Sequence, residues 1–262
     1  MEELLTFNDG VYRTADRKIS WFARIFPSVT FYCKFARIVY KAGWQAKRGL
    51  YDYETWSHSA HDVLKALESV GVVAEYHGVH HVRNLKSPCV FISNHMSTFE
   101  TTCLPVAIQP LRNMTCVIKD SLLEYPVFKH VMRSRDPIAV SRENPREDFK
   151  AVIAGGIERL NKGVSIVVFP QTTRSTEFDP EQFNSIGIKL AQKAKVPVVP
   201  VALITDAWSN GTWLKDLGRI YPDRTARFAF GEPIEIEGRG AEQHRKVIEF
   251  IQRQLAEWRA AE

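Results

Sequence analysis

Two long apolar runs constrain the fold of this chain more than any other feature. Residues 164–169 (VSIVVF) and 196–203 (VPVVPVAL) are almost continuously apolar, which is typical of strands in a sheet that is covered on both faces. Segments of strand-like and helix-like pattern alternate through the rest of residues 51–262. Such alternation predicts a single α/β domain with a largely parallel, helix-covered sheet.

The same patterns predict the individual elements of residues 51–262. We expect helices over 54–70, 98–108, 121–132, 145–161, 181–194 and 241–260. We expect strands over 72–76, 88–92, 115–118, 137–141, 164–169, 197–203 and 226–230.

Residues 1–50 form a segment of different character. Residues 17–50 carry eight basic residues, eight aromatic residues and no acidic one. Pro27 is expected to divide them into a short helix and a longer helix that is capped by Ser28. The longer helix has an apolar stripe formed by Phe31, Phe35, Ile38 and Ala42. It also has a separate cationic arc formed by Lys34, Arg37, Lys41 and Arg48.

This amphipathic helix pair has two interpretations. A cationic face beside exposed aromatic residues suits a helix that lies in a membrane interface, whereas a docked helix with a solvated basic side would show the same pattern. The first interpretation makes residues 1–50 a membrane-interacting segment. Its predicted membrane contacts are Trp21, Phe22, Arg24, Lys34, Arg37 and Lys41.

The charge of the chain is concentrated in that segment. The net charge of the whole chain is +5, and residues 1–50 hold nine basic and four acidic residues while residues 51–262 hold 26 of each. A local surplus argues for an anionic membrane surface rather than nucleic acid as the partner. The chain has no apolar run of about 18 residues, no basic secretory leader and only four cysteines without a C-x-x-C pair, so we expect a cytosol-facing protein without a simple membrane span.

The most informative chemical segment is residues 91–100 (FISNHMSTFE), which follows an apolar strand and opens a helix. His95 and Glu100 would diverge by about 140° on one continuous helix. If His95 lies in the loop and Glu100 in the first turn, the two side chains can meet, and the carboxylate can orient the imidazole as a base. A capping motif beside a surface histidine is the alternative.

Two further segments place arginines at strand ends. Arg174 lies in residues 169–175 (FPQTTRS) with the hydroxyls of Thr173 and Ser175 beside it, and Arg142 ends residues 137–142 (PIAVSR). An arginine among hydroxyls at the carboxyl end of a parallel sheet could bind a phosphate. Each arginine alone is more often a solvated or salt-bridged side chain.

Taken in order, these segments resemble the glycerolipid acyltransferase family, which includes the glycerol-3-phosphate and lysophosphatidate acyltransferases. The family blocks N-H-x-S-x-x-D and F-P-E-G-T-R-S correspond to residues 94–100 and 169–175, and a block that ends in arginine corresponds to residues 138–142. The block V-P-[IV]-[VI]-P-V corresponds to residues 196–201, and a K-x-x-L…P-x-F run to residues 119–128. The chain departs from the family pattern at three positions, namely Glu100 for Asp, Gln171 for Glu and Thr172 for Gly.

The resemblance implies acyl transfer from a thioester, acyl-CoA or acyl carrier protein, to the hydroxyl of a lysophospholipid or related acceptor. It implies His95 as general base, Glu100 as the group that orients it, and no metal or organic cofactor. It implies a peripheral enzyme on the cytoplasmic face of a membrane and leaves the oligomeric state open. The substrate-binding residues it implies are Lys119, Arg142, Gln171, Thr172, Thr173, Arg174 and Ser175.

Other functions remain open at this point. A lipid hydrolase or transacylase could use the same histidine–carboxylate pair, and the changes at 171 and 172 would also suit a non-catalytic membrane-binding relative. Ser97 could be a nucleophile, although it fits an N-cap better. The histidines at 58, 61, 77, 80 and 81 suit solvated turns better than a metal site.

Overall fold

A mostly parallel sheet forms the centre of the molecule. The computed structural model describes residues 3–126, 128–171, 173–212 and 214–261, and within these ranges the sheet has eight strands in the order β1-β2-β8-β7-β3-β6-β4-β5. Only the β1–β2 and β7–β8 pairs are antiparallel. The strands are β1 (Val11–Arg13), β2 (Val73–His77), β3 (Val90–Ser93), β4 (Met114–Lys119), β5 (Ile138–Val140), β6 (Ser165–Val168), β7 (Val198–Ile204) and β8 (Thr225–Phe230).

Helices cover both faces of this sheet. They are α1 (Trp21–Ile25), α2 (Pro27–Lys47), α3 (Tyr53–Glu68), α4 (Val79–Arg83), α5 (Thr98–Ile108), α6 (Lys129–Ser134), α7 (Pro145–Asn161), α8 (Ile186–Ala194) and α9 (Ala241–Ala260). One apolar cluster joins the sheet to α2, α3, α4 and α5, and a second joins it to α7, α8 and α9. The predicted α/β fold with a largely parallel, helix-covered sheet is therefore confirmed.

Strand β7 shows why its sequence is apolar throughout. Val199, Val201 and Leu203 pack into the first cluster, whereas Val198, Ala202 and Ile204 pack into the second. Successive side chains of a strand point to opposite faces of the sheet, so a strand that is covered twice needs apolar residues at every position.

The centre of the sheet positions two loops at one edge. Strand β3 lies between β7 and β6 and is parallel to both, so the segments after β3 and after β6 leave the sheet at the same edge. This edge is where open α/β sheets bind their ligands. The first loop is residues 94–97, and the second begins at Phe169.

Several predicted elements need correction. The helix predicted over 121–132 is a 3-10 turn at Asp120–Leu123 followed by α6, with Pro126 between them. The helix predicted over 181–194 begins only at Ile186, after a 3-10 turn at Pro180–Gln182. The segment around His80 and His81 was predicted as a turn but forms the short helix α4.

The N-terminal helix pair is present, with one corrected cap. Pro27 occupies the first turn of α2, where its missing N–H needs no partner, and Phe26 is the N-cap. Ser28 was predicted to cap this helix, but its Oγ accepts a hydrogen bond from the backbone N–H of Ile220 at 3.0 Å. Phe31, Phe35 and Ala42 are buried as the apolar stripe predicted, and Val39 is buried beside the half-buried Ile38.

Residues 1–50 are joined to the sheet by more than packing. Strand β1 pairs with β2 in the register Val11↔His77. The buried Glu68 carboxylate then accepts a hydrogen bond from Thr14 Oγ1 at 2.7 Å and pairs with Arg17 Nη1 at 2.9 Å. The division at residue 50 into two functional segments stays a prediction. Among the described residues, the helices are all too short or too polar to cross a membrane.

Candidate active site

The structure brings His95 and Glu100 together. His95 lies in the loop after β3, Ser97 is the N-cap of α5, and Glu100 is the third residue of that helix. His95 Nδ1 lies 2.8 Å from Glu100 Oε1. The chain turns between the two residues because the helix begins at Thr98, which removes the divergence that a continuous helix would impose.

Glu100 is fully buried and well supplied with hydrogen-bond donors. Its Oε1 accepts from the backbone N–H groups of Met96 at 2.7 Å and Ser97 at 2.8 Å, and its Oε2 accepts from Thr205 Oγ1 at 2.6 Å. Burial by itself would raise the pKa of Glu100, but the hydrogen bonds from His95, Thr205 and Ser97 outweigh it and lower that pKa. The carboxylate is therefore ionised at neutral pH and accepts a hydrogen bond from a protonated Nδ1 of His95. The other ring nitrogen, Nε2, then carries no proton and can act as a base.

The imidazole is also fixed from its other side. The His95 ring stacks on Phe169 with a centroid distance of 4.4 Å and an interplanar angle of 24°. The residue is 9% exposed, so the ring is held by Glu100 and Phe169 while a small part of it still reaches solvent.

Ser97 acts as a cap. It forms a capping box with Glu100, its Oγ accepts from the backbone N–H of Phe99 at 3.1 Å, and the same Oγ lies 2.9 Å from the carbonyl oxygen of Thr205. The prediction of an N-cap at Ser97 is confirmed. A hydroxyl that is engaged in this way is poorly placed to attack a substrate.

The FPQTTRS segment, called the third block below, supports the backbone of His95. The Gln171 side chain is buried, and its Oε1 accepts from the backbone N–H of His95 at 2.8 Å. The backbone N–H of Ser175 donates to the carbonyl oxygen of His95 at 2.9 Å. Gln171 was predicted as a substrate-binding residue, which stays a prediction. In the structure its side-chain oxygen accepts a hydrogen bond that a glutamate oxygen could also accept at this position.

The remaining residues of this block have different surroundings. Thr173 is exposed, and Ser175 Oγ accepts from the backbone N–H of Glu177 at 3.1 Å. Arg174 Nη1 lies 2.7 Å from Asp216 Oδ1. Thr172 lies outside the described residues.

Lys119 and Arg142 lie farther along the same edge of the sheet. Lys119 ends β4, and Arg142 follows β5 with a positive φ of 63° and donates its backbone N–H to Asp148 Oδ2 at 2.8 Å. With about 4.8 Å between neighbouring strands, β4 and β5 lie roughly 10 and 14 Å from β3. The structure therefore places both residues on the predicted edge, with Lys119 one strand and Arg142 two strands away from β6, the strand that precedes Arg174.

Sequence reasoning missed three polar residues of the site. Thr205 follows β7 and hydrogen-bonds to Glu100, and Asp216 contacts Arg174 from a distant loop. Asn94 pairs with the backbone of Leu203 at 2.9 Å through both its Oδ1 and its Nδ2, which fixes the loop after β3 against β7. Thr205 follows a strand that was predicted correctly, so its position at the strand end was the available signal.

A groove of about 650 Å³ opens beside Met96, the neighbour of His95. Its other lining residues are Thr176, Glu177, Phe178, Ile204, Asp206, Arg224 and Arg259. Among the described residues, the His, Cys, Asp and Glu side chains form no group of three or more that could hold a metal ion.

Comparison with known proteins identifies the family. Residues 73–204 match the family model described as Acyltransferase, and that range is half of the chain and contains His95, Glu100 and the FPQTTRS segment. This chain belongs to the acyltransferase family. It is an O-acyltransferase by this membership and by the relatives that follow.

Two curated relatives and one solved structure show the extent of the likeness. The chain is 31% identical over 192 residues to the 1-acyl-sn-glycerol-3-phosphate acyltransferase of Pseudomonas aeruginosa. This alignment covers 71% of this chain and 70% of the Pseudomonas aeruginosa protein. It is 30% identical over 126 residues to a probable 1-acyl-sn-glycerol-3-phosphate acyltransferase of Mycoplasma genitalium, in an alignment that covers 45% of each chain. The crystal structure of the 1-acyl-sn-glycerophosphate acyltransferase PlsC from Thermotoga maritima superposes on this chain with a TM-score of 0.64 and 19% sequence identity. The superposition covers 90% of this chain and 96% of the Thermotoga maritima chain, and it supports the fold described above.

Proposed function

We propose that this acyltransferase moves a fatty acyl group from acyl-CoA or acyl carrier protein to the hydroxyl of a lysophospholipid or related lipid acceptor. The observation that carries the proposal is the contact of 2.8 Å between His95 Nδ1 and the buried, ionised Glu100. The acceptor class is supported by the names of the relatives from Pseudomonas aeruginosa and Mycoplasma genitalium.

The reaction needs one base that also returns its proton. His95 Nε2 removes the proton from the acceptor hydroxyl while the hydroxyl oxygen attacks the thioester carbonyl carbon. The imidazolium that forms is stabilised by the Glu100 carboxylate. The carbon–sulfur bond then breaks, and the leaving thiolate takes the proton from His95. The ester and the free thiol are the products, and Ser97 carries no acyl group.

Binding of an anionic substrate is assigned to the cations and hydroxyls of the same sheet edge. Arg174 adjoins Ser175, whose backbone N–H donates to the carbonyl oxygen of His95. Arg142 and Lys119 extend the cationic edge, and Thr173 and Ser175 add hydroxyls. This proposal needs no metal or organic cofactor, since the proton transfer uses the side chain of His95 and the acyl group arrives already activated as a thioester.

The N-terminal helices are proposed as the membrane contact. We define the N-terminal apolar patch as the exposed side chains Trp21, Phe22, Ile25, Phe26 and Val29. Trp21 is 72% exposed and its ring packs edge-on against Phe22. Contiguous apolar surface of this kind marks an interaction site, and the exposed cations Arg24, Arg37 and Lys41 suit an anionic leaflet. The proposed location is peripheral, on the cytoplasmic face of a membrane.

The decisive experiment is a product assay with purified enzyme. It offers lysophosphatidate with acyl-CoA or with acyl carrier protein, and it measures diacylated lipid and free fatty acid. We expect the diacylated lipid with at least one donor, and a loss of at least ~10²-fold in His95→Ala. His58→Ala, which removes an exposed histidine of α3, is the matched control and should be as active as the wild type.

Other outcomes would contradict the proposal in distinct ways. Free fatty acid as the main product would indicate a hydrolase, and acyl transfer between two lipids without a thioester would indicate a transacylase. Wild-type protein that binds anionic vesicles but turns over neither donor would indicate a non-catalytic relative. Full activity in His95→Ala would show that another group is the base.

A further inference from the structure

Arg174, the cation nearest to His95 in the third block, is already paired within the chain. Its Nη1 lies 2.7 Å from Asp216 Oδ1, and the two side chains are 19% and 28% exposed. The pair is therefore largely shielded from water, where an ion pair is screened less than on an open surface. An anionic substrate that approaches Arg174 meets a carboxylate in contact with it.

The same carboxylate oxygen also touches the helix that carries Glu100. Thr98 Oγ1 donates to Asp216 Oδ1 at 3.1 Å, and Thr98 is the first residue of α5, where the positive end of the helix dipole favours an anion. Asp216 thus joins the start of the catalytic helix to the third block. This is the position that the anionic group of an acceptor would take in order to reach Arg174 and the N-terminus of α5 together.

The loop that carries Asp216 is closed tightly at its base. The backbone N–H of Ser209 donates to the carbonyl oxygen of Arg219 at 3.0 Å, and Trp208 and Ile220 form a β-bridge. A Cβ on Gly218 would lie 1.8 Å from the carbonyl oxygen of Ser209, so only glycine permits this closure. The backbone geometry therefore fixes the two ends of the loop, and the contacts with Arg174 and Thr98 fix the side chain of Asp216.

The loop also borders the N-terminal apolar patch. The Tyr32 hydroxyl donates to the carbonyl oxygen of Gly218, and Ile220 is bonded to Ser28, which lies one residue before Val29 of the patch. Leu214 and Leu217, on either side of Asp216, are about half exposed. The loop therefore contacts both Arg174 and α2, the helix that carries Val29 of the patch.

We propose that Asp216 is a specificity-determining residue that competes with the acceptor headgroup for Arg174 and thereby disfavours acceptors with a dianionic phosphate. The proposal rests on the function proposed above. A phosphate monoester can pair with Arg174 only if it displaces the Asp216 carboxylate or binds beside it against electrostatic repulsion. An uncharged acceptor is subject to neither effect. The hydrogen bonds of Asp216 go to Arg174 and Thr98 and not to His95 or Glu100, so its effect is on acceptor affinity and not on the chemical step.

The test compares acceptors that differ in headgroup charge. Wild type, Asp216→Asn and Asp216→Ser are assayed with lysophosphatidate and with uncharged monoacylglycerol, both in neutral detergent micelles. We expect the KM for lysophosphatidate to fall at least about threefold in both variants, with kcat within about twofold and with the KM for monoacylglycerol unchanged. Asp223→Asn removes the same charge from an exposed position near the loop and should change neither KM.

A second experiment tests whether the effect of Asp216 on the KM for lysophosphatidate depends on Arg174. In an Arg174→Ala background, Asp216→Asn should lower the KM for lysophosphatidate by a smaller factor than it does with Arg174 present, because the competition for Arg174 has been removed and only direct repulsion is left to relieve. An unchanged or raised KM in the single variants overturns the proposal, as does the same decrease for monoacylglycerol. Thermal unfolding of each variant establishes that the fold is retained.

A third measurement separates this proposal from the proposed function. If the wild type turns over none of the acceptors, the proposed function fails, and equilibrium binding of lysophosphatidate in the same micelles tests Asp216 directly. Tighter binding by Asp216→Asn than by wild type or Asp223→Asn supports the competition. Equal or weaker binding overturns it.

Discussion

The carboxylate of Glu100 reaches the imidazole of His95 and the backbone of the loop that carries it at the same time. Its Oε1 lies 2.8 Å from His95 Nδ1 and 2.7 Å from the backbone nitrogen of Met96. One oxygen thus fixes both the ring and the peptide next to it. The helix cap and the oriented histidine therefore share Glu100. The alternative of a capping motif beside a surface histidine is right about the cap and wrong about the histidine, because His95 is buried.

Glu100→Gln should impair catalysis much more than it impairs folding. Glutamine keeps the size and one oxygen acceptor but removes the charge that stabilises the imidazolium, so we expect kcat/KM to fall at least ~10²-fold. Glu100→Asp keeps the charge and restores the carboxylate of the family block, so it should retain more activity than the glutamine variant. Steady-state assays with thermal unfolding of each variant check this, and equal activity of the aspartate and glutamine variants would contradict a role based on charge.

The lowered pKa of Glu100 predicts a loss of stability in acid. A carboxyl whose pKa is lower in the folded state contributes stability above its unfolded pKa, ordinarily 4.5, and that contribution is lost as the pH falls through the folded value. We therefore expect the free energy of unfolding in urea to fall more steeply between about pH 5 and pH 3 in the wild type than in Glu100→Gln. Glu54→Gln, on the exposed surface of α3, should keep the wild-type slope, and a wild-type slope in Glu100→Gln would refute the assignment.

The parts of the fold with strong local signals were predictable. The helices α5, α7 and α9 have the predicted bounds, because a cap or a long amphipathic pattern defines them locally. Strand β1 has three residues and was missed, since its pairing with β2 depends on a partner about 60 residues away. The proximity of His95 and Glu100 could be expected because both lie within seven residues of the end of one strand, β3. Thr205 is 105 residues from Glu100, and Asp216 is 42 residues from Arg174 and 118 residues from Thr98. No local pattern marks such contacts.

Gln171 should tolerate the family glutamate but not alanine. Its Oε1 accepts from the backbone N–H of His95, and a glutamate oxygen can accept the same bond, so Gln171→Glu should keep kcat within about threefold. Gln171→Ala leaves a buried N–H without this acceptor, which costs about 1–3 kcal/mol and loosens the position of His95. Unfolding in urea and kcat measured on the same preparations check both parts. A Gln171→Ala enzyme with wild-type stability and kcat would show that this hydrogen bond does not position the base.

The N-terminal apolar patch should control membrane binding without contributing to the core. Deletion of residues 1–50 would also remove β1 and the buried face of α2, so point variants give a cleaner experiment. Trp21→Ser with Phe22→Ser removes two exposed rings, and we expect flotation with vesicles that contain anionic lipid to fall at least about tenfold, because each buried apolar side chain contributes about 1.5–3 kcal/mol. Leu50→Ser, at an apolar residue that is exposed outside the patch, is the matched control and should float like the wild type. Retained flotation of the double variant with an unchanged melting temperature would assign membrane binding to another surface.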